Sequence, residues 1–404
     1  MSLKRQVYLD HSATTPVDDR VAAAMTRSLS ETFGNASSVH TYGQKARAAV
    51  DRARREVAVL IGARQNEIVF VSGGTEANNL AVRGLCEAAL EHGRHIITSS
   101  IEHPSVRGVC DALEKKGWDV TRLPVYENGI VRPDDVRRAI RPDTVLITIM
   151  LANNEIGTVQ PIQEIGLLVR EFRDADRRNL WLHTDAVQAT GRMEVNVDEL
   201  GCDLLSLSGH KFYAPKGIGS LYIRKGVRLV PQNVGGHQER ERRGGTENVP
   251  AIIALGEAAR IARGELKQRC DQVAELRDRF EAELKRRICD IVVNGDAERR
   301  LPHLSNISFR FIEGEGLLIN LDMKGIAVST GSACSSGTLE PSPVLKALGH
   351  SDELARGAIR FSFGKDNTEN DVDYVLEVLT EVVERLRELS PLNKNIELQT
   401  SNPL

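Results

Sequence analysis

The sequence predicts an α/β protein in which a large domain, with a mostly parallel sheet flanked by helices, is joined to a smaller α+β domain. Up to residue 245, short apolar runs alternate with helical stretches of roughly 10 to 15 residues, an order that favours right-handed crossovers and parallel strands. Beyond that point the pattern changes to long charged helices with one apolar stripe. With 404 residues the chain can also form one large core and a second, smaller one.

The predicted elements of the large domain begin with a short strand at Tyr8 to Asp10. A Ser/Thr-rich loop follows, then helical sequence from Val17 and an amphipathic helix from about Gln44 to Ile61. Apolar runs predict strands at 67–72, 95–99, 118–123, 144–151, 180–185, 203–208 and 219–223. The first of these runs ends in glycines that lead into a helix to about His92. Functional groups in such sheets gather at the carboxyl ends of the strands, so the residues after each run are site candidates.

The small domain is predicted from its helical periodicity. Long helices are expected at about 251–263 and 268–288, and apolar residues recur every three or four positions in the second. Further strands are predicted at 305–311, 327–329 and 358–363, and helices at 314–323, 342–348 and 369–389. The polar segment 391–404 is expected to be mobile. The predicted domains are 15–262 for the large one, and 1–14 with 263–404 for the small one.

Composition and charge exclude several classes of function. A formal net charge of −3 gives no general attraction to nucleic acid or to an anionic membrane. The longest apolar run, at about 145–152, is far shorter than the roughly 20 residues that a bilayer span needs. The N-terminal segment lacks the apolar stretch of a secretory signal, so a cytoplasmic location is expected. The six cysteines form no C-x-x-C pair and no compact cluster with histidines, so no metal is expected.

The stretch LLSLSGHKFYAPK places one lysine directly after a predicted buried strand. The apolar run ends at Ser208, and Lys211 follows in a segment rich in turn formers. A partly desolvated amine has a lowered pKa and becomes nucleophilic, so Lys211 is a candidate for a Schiff base. Taken alone, the same sequence is more typical of a surface lysine on a loop.

Two further groups follow other predicted strands. Gly73-Gly74-Thr75 stands before a helix start, where free N–H groups and the helix dipole favour an anion. Its spacing is neither that of a P-loop nor that of a dinucleotide fingerprint, so a small monophosphate is favoured, with a simple tight turn as the alternative. Asp185 is the last residue of its predicted strand, and Gln188 follows three residues later. A carboxylate in this position either needs a cationic partner or caps a helix. Together with Lys211, these are the parts that a pyridoxal phosphate site requires.

On these motifs the chain closely resembles the cysteine desulfurases of the class-V aminotransferase-like, pyridoxal-phosphate enzymes. The resemblance extends from YLDHSATTP at Tyr8 to RLRELSPL, which ends at Leu392. It implies the architecture of a fold type I pyridoxal-phosphate enzyme, with pyridoxal 5'-phosphate as the cofactor. It also implies a homodimer with shared sites, because Thr246 in RRGGTEN matches a threonine that reaches the phosphate of the neighbouring subunit.

The resemblance assigns roles to individual residues. Lys211 matches the lysine that holds the cofactor, and His103 in SIEHPSV matches a histidine that stacks on the ring and moves a proton. Arg360 in IRFSFG matches the clamp for the substrate carboxylate, a two-pronged task that suits guanidinium. The remaining matches are the phosphate ligands Gly74, Thr75, Ser208 and His210, the partners of the pyridine nitrogen and phenolic oxygen Asp185 and Gln188, Asn154 in ANNEIGT beside cofactor and substrate, and Asn35 in FGNASS, which assists the clamp.

Cys334 stands in a segment of small, turn-forming residues, VSTGSACSSG. A cysteine has little packing reason to be there, and among the six cysteines this one alone looks exposed, so a reactive thiol is a candidate. The resemblance matches this segment to the persulfide loop of desulfurases. Cys86 and Cys110, in helices, and Cys202, beside a strand, are expected to be packed thiols.

The activity that the resemblance implies converts L-cysteine to L-alanine. Sulfur is carried on Cys334 as a persulfide and then passed to an iron–sulfur scaffold or another acceptor protein, for iron–sulfur cluster assembly or RNA thiolation. One alternative is a selenocysteine lyase or another class-V lyase or aminotransferase, for which Cys334 is dispensable. Another is a sulfur-carrier scaffold with vestigial catalysis, against which the intact set of Lys211, Asp185 and Arg360 argues.

Overall fold

The computed structural model describes residues 5–176, 179–330 and 340–390. Its central sheet is built from seven strands: β2 (Ile68–Val71), β3 (His95–Ser99), β4 (Asp119–Leu123), β5 (Thr144–Thr148), β6 (Trp181–Asp185), β7 (Leu204–Ser208) and β8 (Gly219–Ile223). Their order is β2-β8-β7-β6-β5-β3-β4. Strands β4, β3, β5, β6 and β7 pair in parallel, and β8 runs antiparallel between β7 and β2. The expected α/β class with a mostly parallel sheet is confirmed.

Helices cover both faces of this sheet. Ile68 and Phe70 of β2 enter the core on one face, and Val69 and Val71 enter the core on the other. Burial on both faces explains why the strands are apolar at successive positions and do not alternate. The helices of this part are α1 (Asp19–Glu31), α2 (Thr41–Leu60), α3 (Gly74–Ala88), α4 (Pro104–Glu114), α5 (Pro133–Ala139), α6 (Ile162–Asp176) and α7 (Val197–Leu200).

A single helix of 39 residues, α8 (Val249–Arg287), joins the two parts of the molecule. Its first half packs Leu255 into the core of the large domain, and its second half packs Phe280 into the core of the small domain. The two separate helices expected at 251–263 and 268–288 were therefore wrong. Gly264 lies between the two buried halves, and its helical cost of roughly 0.5–1 kcal/mol relative to alanine does not end the helix.

The small domain is an antiparallel sheet covered by helices. The sheet has the order β12-β10-β9 and consists of β9 (Ile291–Asn294), β10 (Leu304–Phe309) and β12 (Ala358–Ser362). A parallel pair, β1 (Val7–Tyr8) with β11 (Ile326–Ala327), brings the start of the chain into this domain. The helices are α9 (Gly314–Met323), α10 (Pro343–Ala347), α11 (Asp352–Arg356) and α12 (Glu369–Leu389).

The sequence did not predict β9 or α11, which are both short and take their stability from tertiary contacts. The proposed mobility of segment 391–404 concerns residues outside the described ranges, and the domain boundaries at 14/15 and 262/263 stay a prediction. Within the described residues, no helix has the length and apolar character needed to cross a membrane.

Candidate active site

A cavity of about 290 Å³ lies where β5, β6 and β7 end and the small domain meets the sheet. The buried strands fix the backbone, and the turns that follow them carry the polar side chains. Arg360 of β12 reaches the cavity from the small domain. The predicted site residues that line it are Gly74, Thr75, His103, Asn154, Asp185, Gln188, Ser208, His210, Lys211 and Arg360.

Lys211 lies in a tight turn directly after β7. Its Nζ donates hydrogen bonds to the backbone oxygens of Ser12 and Ala13, each at 2.7 Å. Its own carbonyl accepts a bond of 2.9 Å from Nη2 of the buried Arg192, and the same Nη2 donates to the oxygen of His11 at 2.8 Å. The amine is therefore held in the cavity by the N-terminal loop, on a backbone that Arg192 fixes.

Asp185 is a buried carboxylate without an ion pair among the described residues. One oxygen accepts from Asn78 Nδ2 at 2.7 Å and the other from the N–H of Val187 at 2.9 Å. Gln188 is also buried. Its Nε2 donates to Ser12 at 2.9 Å, while its Oε1 has no hydrogen-bond partner within the described residues. Within the described residues, the Asp185 carboxylate therefore lacks a cationic partner and the Gln188 Oε1 lacks a donor. Both side chains can still accept a hydrogen bond from a group in the cavity.

The phosphate end of the predicted site is the N-terminus of α3. A Cβ built on Gly74 meets Cγ2 of Val187 at 2.8 Å, so a larger residue here requires the helix start or the Val187 side chain to shift. Burial lowers the pKa of His210 to about 4, so its imidazole is neutral at pH 7. A fifteen-residue helix that begins with free N–H groups favours an anion at this end.

His103 is the N-cap of α4. Its Nδ1 accepts from the N–H of Ser105 at 3.1 Å, so the neutral imidazole carries its proton on Nε2. Burial lowers the pKa of His103, and this effect outweighs the nearby Asp185, which acts in the opposite direction. In this tautomer Nε2–H is the proton donor, and the lone pair that could accept a proton is on Nδ1, to which the N–H of Ser105 already donates.

Arg360 is nearly buried and has two partners. Nη2 donates to Oδ1 of Asp10 at 2.8 Å, and Nη1 donates to the oxygen of Asn154 at 2.8 Å. Its backbone exchanges two hydrogen bonds with Ser329, of 2.6 and 3.3 Å. Ser329 stands five positions before Cys334, so the arginine and the start of the cysteine segment are fixed to each other.

The structure does not bring every predicted residue to the cavity. Asn35 is exposed and its Oδ1 accepts from the N–H of Ser37 at 2.8 Å. Thr246 is exposed and borders a separate pocket of about 180 Å³. Cys334 lies outside the described residues. The roles of these three residues stay predictions.

Several residues of the site escaped sequence reasoning. Asn78 and Ser105 link the carboxylate to the histidine, since Asn78 Nδ2 also donates to Ser105 Oγ at 2.8 Å. Asp10 pairs with Arg360 from 350 positions away. Asn78 and Ser105 stand inside the motifs SGGTEANN and SIEHPSV, so their place in these motifs could have identified them as site residues. For Asp10, the sequence offered only its place in the motif YLDHSATTP.

Glu102, next to His103, is fully enclosed below the cavity. Its Oε1 accepts from Ser99 Oγ at 2.6 Å and from the N–H of Met150 at 2.9 Å, and its Oε2 has no partner within the described residues. Burial raises the pKa of Glu102 to about 8. The side chain is therefore mainly a neutral acid at pH 7.

The cysteines follow the prediction with one exception. Cys86, Cys110 and Cys202 are buried, and burial raises the pKa of the Cys110 thiol to about 12. Cys289, between α8 and β9, is exposed. The expectation that Cys334 alone is exposed was therefore wrong, because the chain turns at Cys289 on the surface.

Comparisons with known proteins agree with this geometry. Residues 7–375 match the family described as Aminotransferase class-V. The protein named cysteine desulfurase IscS of Dictyoglomus turgidum is 50% identical over 389 residues, which cover 96% of this chain and 97% of that protein. The IscS of Methanosarcina thermophila is also 50% identical, over 96% of this chain and 94% of its own length.

Solved structures give the same result. A NifS-like protein superposes with a TM-score of 0.88 at 36% identity, covering 95% of this chain and all of the other. A structure described as SspA in complex with cysteine has a TM-score of 0.78 at 37% identity and covers 90% of this chain. The chain therefore belongs to the class-V aminotransferase family, and the relatives named above within that family are cysteine desulfurases.

Proposed function

We propose that the cavity around Lys211 is the active site of a pyridoxal-phosphate-dependent cysteine desulfurase. The observation that carries this proposal is the convergence of four groups on one cavity: a lysine amine, a buried carboxylate, a helix N-terminus and a buried arginine. Each has a common structural explanation when it stands alone. Together, in a chain whose relatives are desulfurases, they supply one cofactor site and one carboxylate clamp.

The residues of the cavity fit pyridoxal 5'-phosphate. Asp185 lacks a cationic partner within the described residues, as a carboxylate that receives a pyridinium N–H would. The buried Oε1 of Gln188 has no hydrogen-bond partner within the described residues, so the amide next to Asp185 has hydrogen-bonding capacity that the protein does not use. The N-terminus of α3 with Thr75, Ser208 and His210 would hold the phosphate. When bound, the cofactor supplies an aldehyde that reacts with amines and a ring that withdraws electrons from the substrate.

The substrate's carboxylate binds Arg360. Both of its terminal nitrogens are already held by hydrogen bonds to Asp10 and Asn154, so little side-chain entropy is lost on binding. Asp10 also offsets part of the arginine charge while no carboxylate is bound. The clamp and the lysine border the same cavity, which supports a substrate position with the α-carbon of L-cysteine near the Lys211 amine.

The chain's own residues move the protons. Lys211 holds the cofactor and, once the substrate amine has replaced it, takes the proton from the α-carbon. His103 takes part in moving the thiol proton of the substrate. The thiolate of Cys334 forms a bond to the substrate sulfur while the bond between that sulfur and Cβ breaks. The three-carbon fragment gains a proton at Cβ and regains one at the α-carbon from Lys211, and it leaves as L-alanine, while Cys334 keeps the sulfur as a persulfide.

The proposal includes a homodimer with shared sites, a cytoplasmic location and transfer of sulfur to an iron–sulfur scaffold or another acceptor protein. The exposure of Thr246, away from the cavity of its own chain, supports a role of this threonine towards the phosphate of a second copy. The names of the desulfurase relatives support the sulfur-transfer role.

Two pairs of variants test the proposal. Lys211→Ala should abolish both alanine formation from L-cysteine and the visible absorbance of the bound cofactor, whereas Lys216→Ala, an exposed lysine five positions on, should leave both unchanged. Cys334→Ser should abolish the persulfide detected by mass spectrometry, and the exposed Cys289→Ser should not. Alanine formation by Lys211→Ala at the parent rate would falsify the proposed site, and a persulfide formed by Cys334→Ser would show that another cysteine carries the sulfur.

A further inference from the structure

A surface segment at 233–247, here called the arm, is held against the large domain by a buried ion pair. Arg54 of α2 and Glu239 of the arm make a two-pronged contact, with nitrogen–oxygen distances of 2.6 and 2.7 Å. Only 8% of the arginine side chain and 3% of the glutamate side chain are exposed. The same carboxylate accepts from the N–H of Phe70 at 3.0 Å, which ties the arm to β2.

The backbone of the arm is strained where the pair holds it. Glu239, Arg240 and Glu241 all have positive φ angles, of 46°, 56° and 64°. Such a conformation costs a residue other than glycine of order 1–3 kcal/mol and persists only where surrounding contacts impose it. Three successive residues of this kind, none of them glycine, indicate that the chain needs the arm in one particular shape.

A second contact fixes the arm beside the phosphate end of the active site. Arg243 Nε and Asn233 Nδ2 both donate to Oε1 of Glu76, each at 2.9 Å. Glu76 lies in the first turn of α3, next to Thr75. The N–H of Gly244 donates to the oxygen of Asn233 at 2.9 Å and closes the arm on itself.

These contacts hold Thr246 in an exposed position on the arm. It is exposed, it stands two positions before Asn248, the N-cap of α8, and it borders the same pocket as Glu239 and Arg243. The arm is therefore fixed on both sides of Thr246 by buried or capped residues, while the threonine itself faces outward.

We infer that the Arg54–Glu239 ion pair is a positioning device that holds Thr246 for the cofactor phosphate of a second copy of the chain. The inference rests on the proposed shared site and adds the residues that shape it. Neither Arg54 nor Glu239 touches the cofactor. Their effect passes through the strained turn to Thr246, and so is expected in the active site of the opposite subunit.

Mixed dimers separate this effect from a loss of stability. In a dimer with one Lys211→Ala chain, only one lysine anchors the cofactor, and the threonine that serves that lysine belongs to the Lys211→Ala chain. Glu239→Gln on the Lys211→Ala chain should speed release of the cofactor from the intact lysine roughly tenfold. The visible absorbance of the bound cofactor measures this release. The same substitution on the chain with the intact lysine should leave the release rate unchanged.

A matched control is the buried two-pronged pair of Arg300 and Glu281 in the small domain, at 2.7 and 3.0 Å. Glu281→Gln should have no effect on release in either position. If Glu239→Gln speeds release equally in both positions, or in neither, the inference is overturned. Arg54→Lys, which keeps the charge but loses the forked contact, provides a second variant that should fold if Glu239→Gln does not, and should show the same dependence on position.

The proposed shared site has its own readout in the same dimers. Thr246→Ala on the Lys211→Ala chain should speed release from the intact site. If it does and both Arg54→Lys and Glu239→Gln do not, the shared site stands and the ion pair is only structural. If Thr246→Ala acts in neither position, or if sedimentation shows a monomeric parent, the shared site is wrong and the inference fails with it.

Discussion

At the scale of single residues, the proposed site assigns the substrate carboxylate to Arg360. Its two terminal nitrogens are directed by Asp10 and Asn154, and no lysine can reproduce that fork. Arg360→Lys should lower kcat/KM for L-cysteine roughly ten- to a hundredfold, the effect of one lost charge-assisted hydrogen bond. Alanine formation measures this. Arg356→Lys, an exposed arginine on α11, should keep the parent value, and a clamp at Arg360 is wrong if both variants behave alike.

Glu102 gives a prediction about pH. Burial raises its pKa from 4.5 to about 8, so the folded protein keeps a proton that the unfolded chain releases between these values. The stability that this group contributes is fully present below pH 4.5 and is lost as the pH rises through about 8. Glu102→Gln removes the titration, so the free energy of unfolding of this variant should rise relative to the parent from pH 5 to pH 8 by roughly the amount the parent loses.

Urea unfolding at several pH values measures that difference. The exposed Glu91→Gln is the control and should follow the parent at every pH. A difference between Glu102→Gln and the parent that stays constant across this range would mean that Glu102 is already ionised in the folded protein.

The sequence predicted the site residues that stand in recognisable local motifs. Lys211, Asp185 and Gly74 each follow a strand, and strand ends converge in a parallel sheet, so their meeting was predictable. Asp10 could not be assigned to Arg360, because their contact depends on β1 pairing with β11 across the whole chain. The sequence could not distinguish Glu102 from an ordinary surface glutamate, because its pKa is raised only by burial in the folded protein.

At the scale of elements, the proposed phosphate position depends on how closely the start of α3 packs against the turn after β6. Gly74→Ala places a methyl group 2.8 Å from Val187 Cγ2 and 3.5 Å from Ser208 Cβ, so either the helix start or the Val187 side chain must shift. Cofactor retention should weaken by roughly tenfold, measured as the dissociation rate of pyridoxal phosphate. Val187→Ala in the same chain removes the obstacle and should restore most of the retention.

Gly108→Ala is the matched control for this change. Gly108 lies in α4, and a Cβ there meets nothing within 4 Å. The exchange should leave retention unchanged and stabilise the protein slightly, by about 0.5–1 kcal/mol. If Val187→Ala fails to rescue Gly74→Ala, the close approach to Val187 is not the reason that a glycine is needed here.

Element boundaries show where local sequence suffices. β3, β8, α9 and α12 were predicted with their observed ends, because a turn former or a helix cap stands at each. α8 was split in two because helices of 39 residues are uncommon and nothing local says that both halves are buried. Only the tertiary structure shows that each half packs into a different core.

At the scale of the whole molecule, α8 mechanically links the cores of the two domains, and this link can be weakened at one residue. Gly264→Ala should stabilise the protein by about 0.5–1 kcal/mol, because the glycine is exposed and a Cβ there meets nothing. Gly264→Pro should cost about 3 kcal/mol or more and divide the single unfolding transition into two. Scanning calorimetry distinguishes these outcomes. Gly108→Pro, which breaks a helix of the large domain alone, should destabilise without dividing the transition.

The pairing of Ser329 with Arg360 has a consequence for chain length. The two residues exchange backbone hydrogen bonds, so a residue inserted between β11 and Ser329 shifts the position opposite Arg360 by one residue, about 3.4 Å, whereas β12 keeps its register on β10. A residue inserted after Thr330 leaves that register untouched. The length of the chain after Thr330 can therefore change without altering the pairing that holds Arg360.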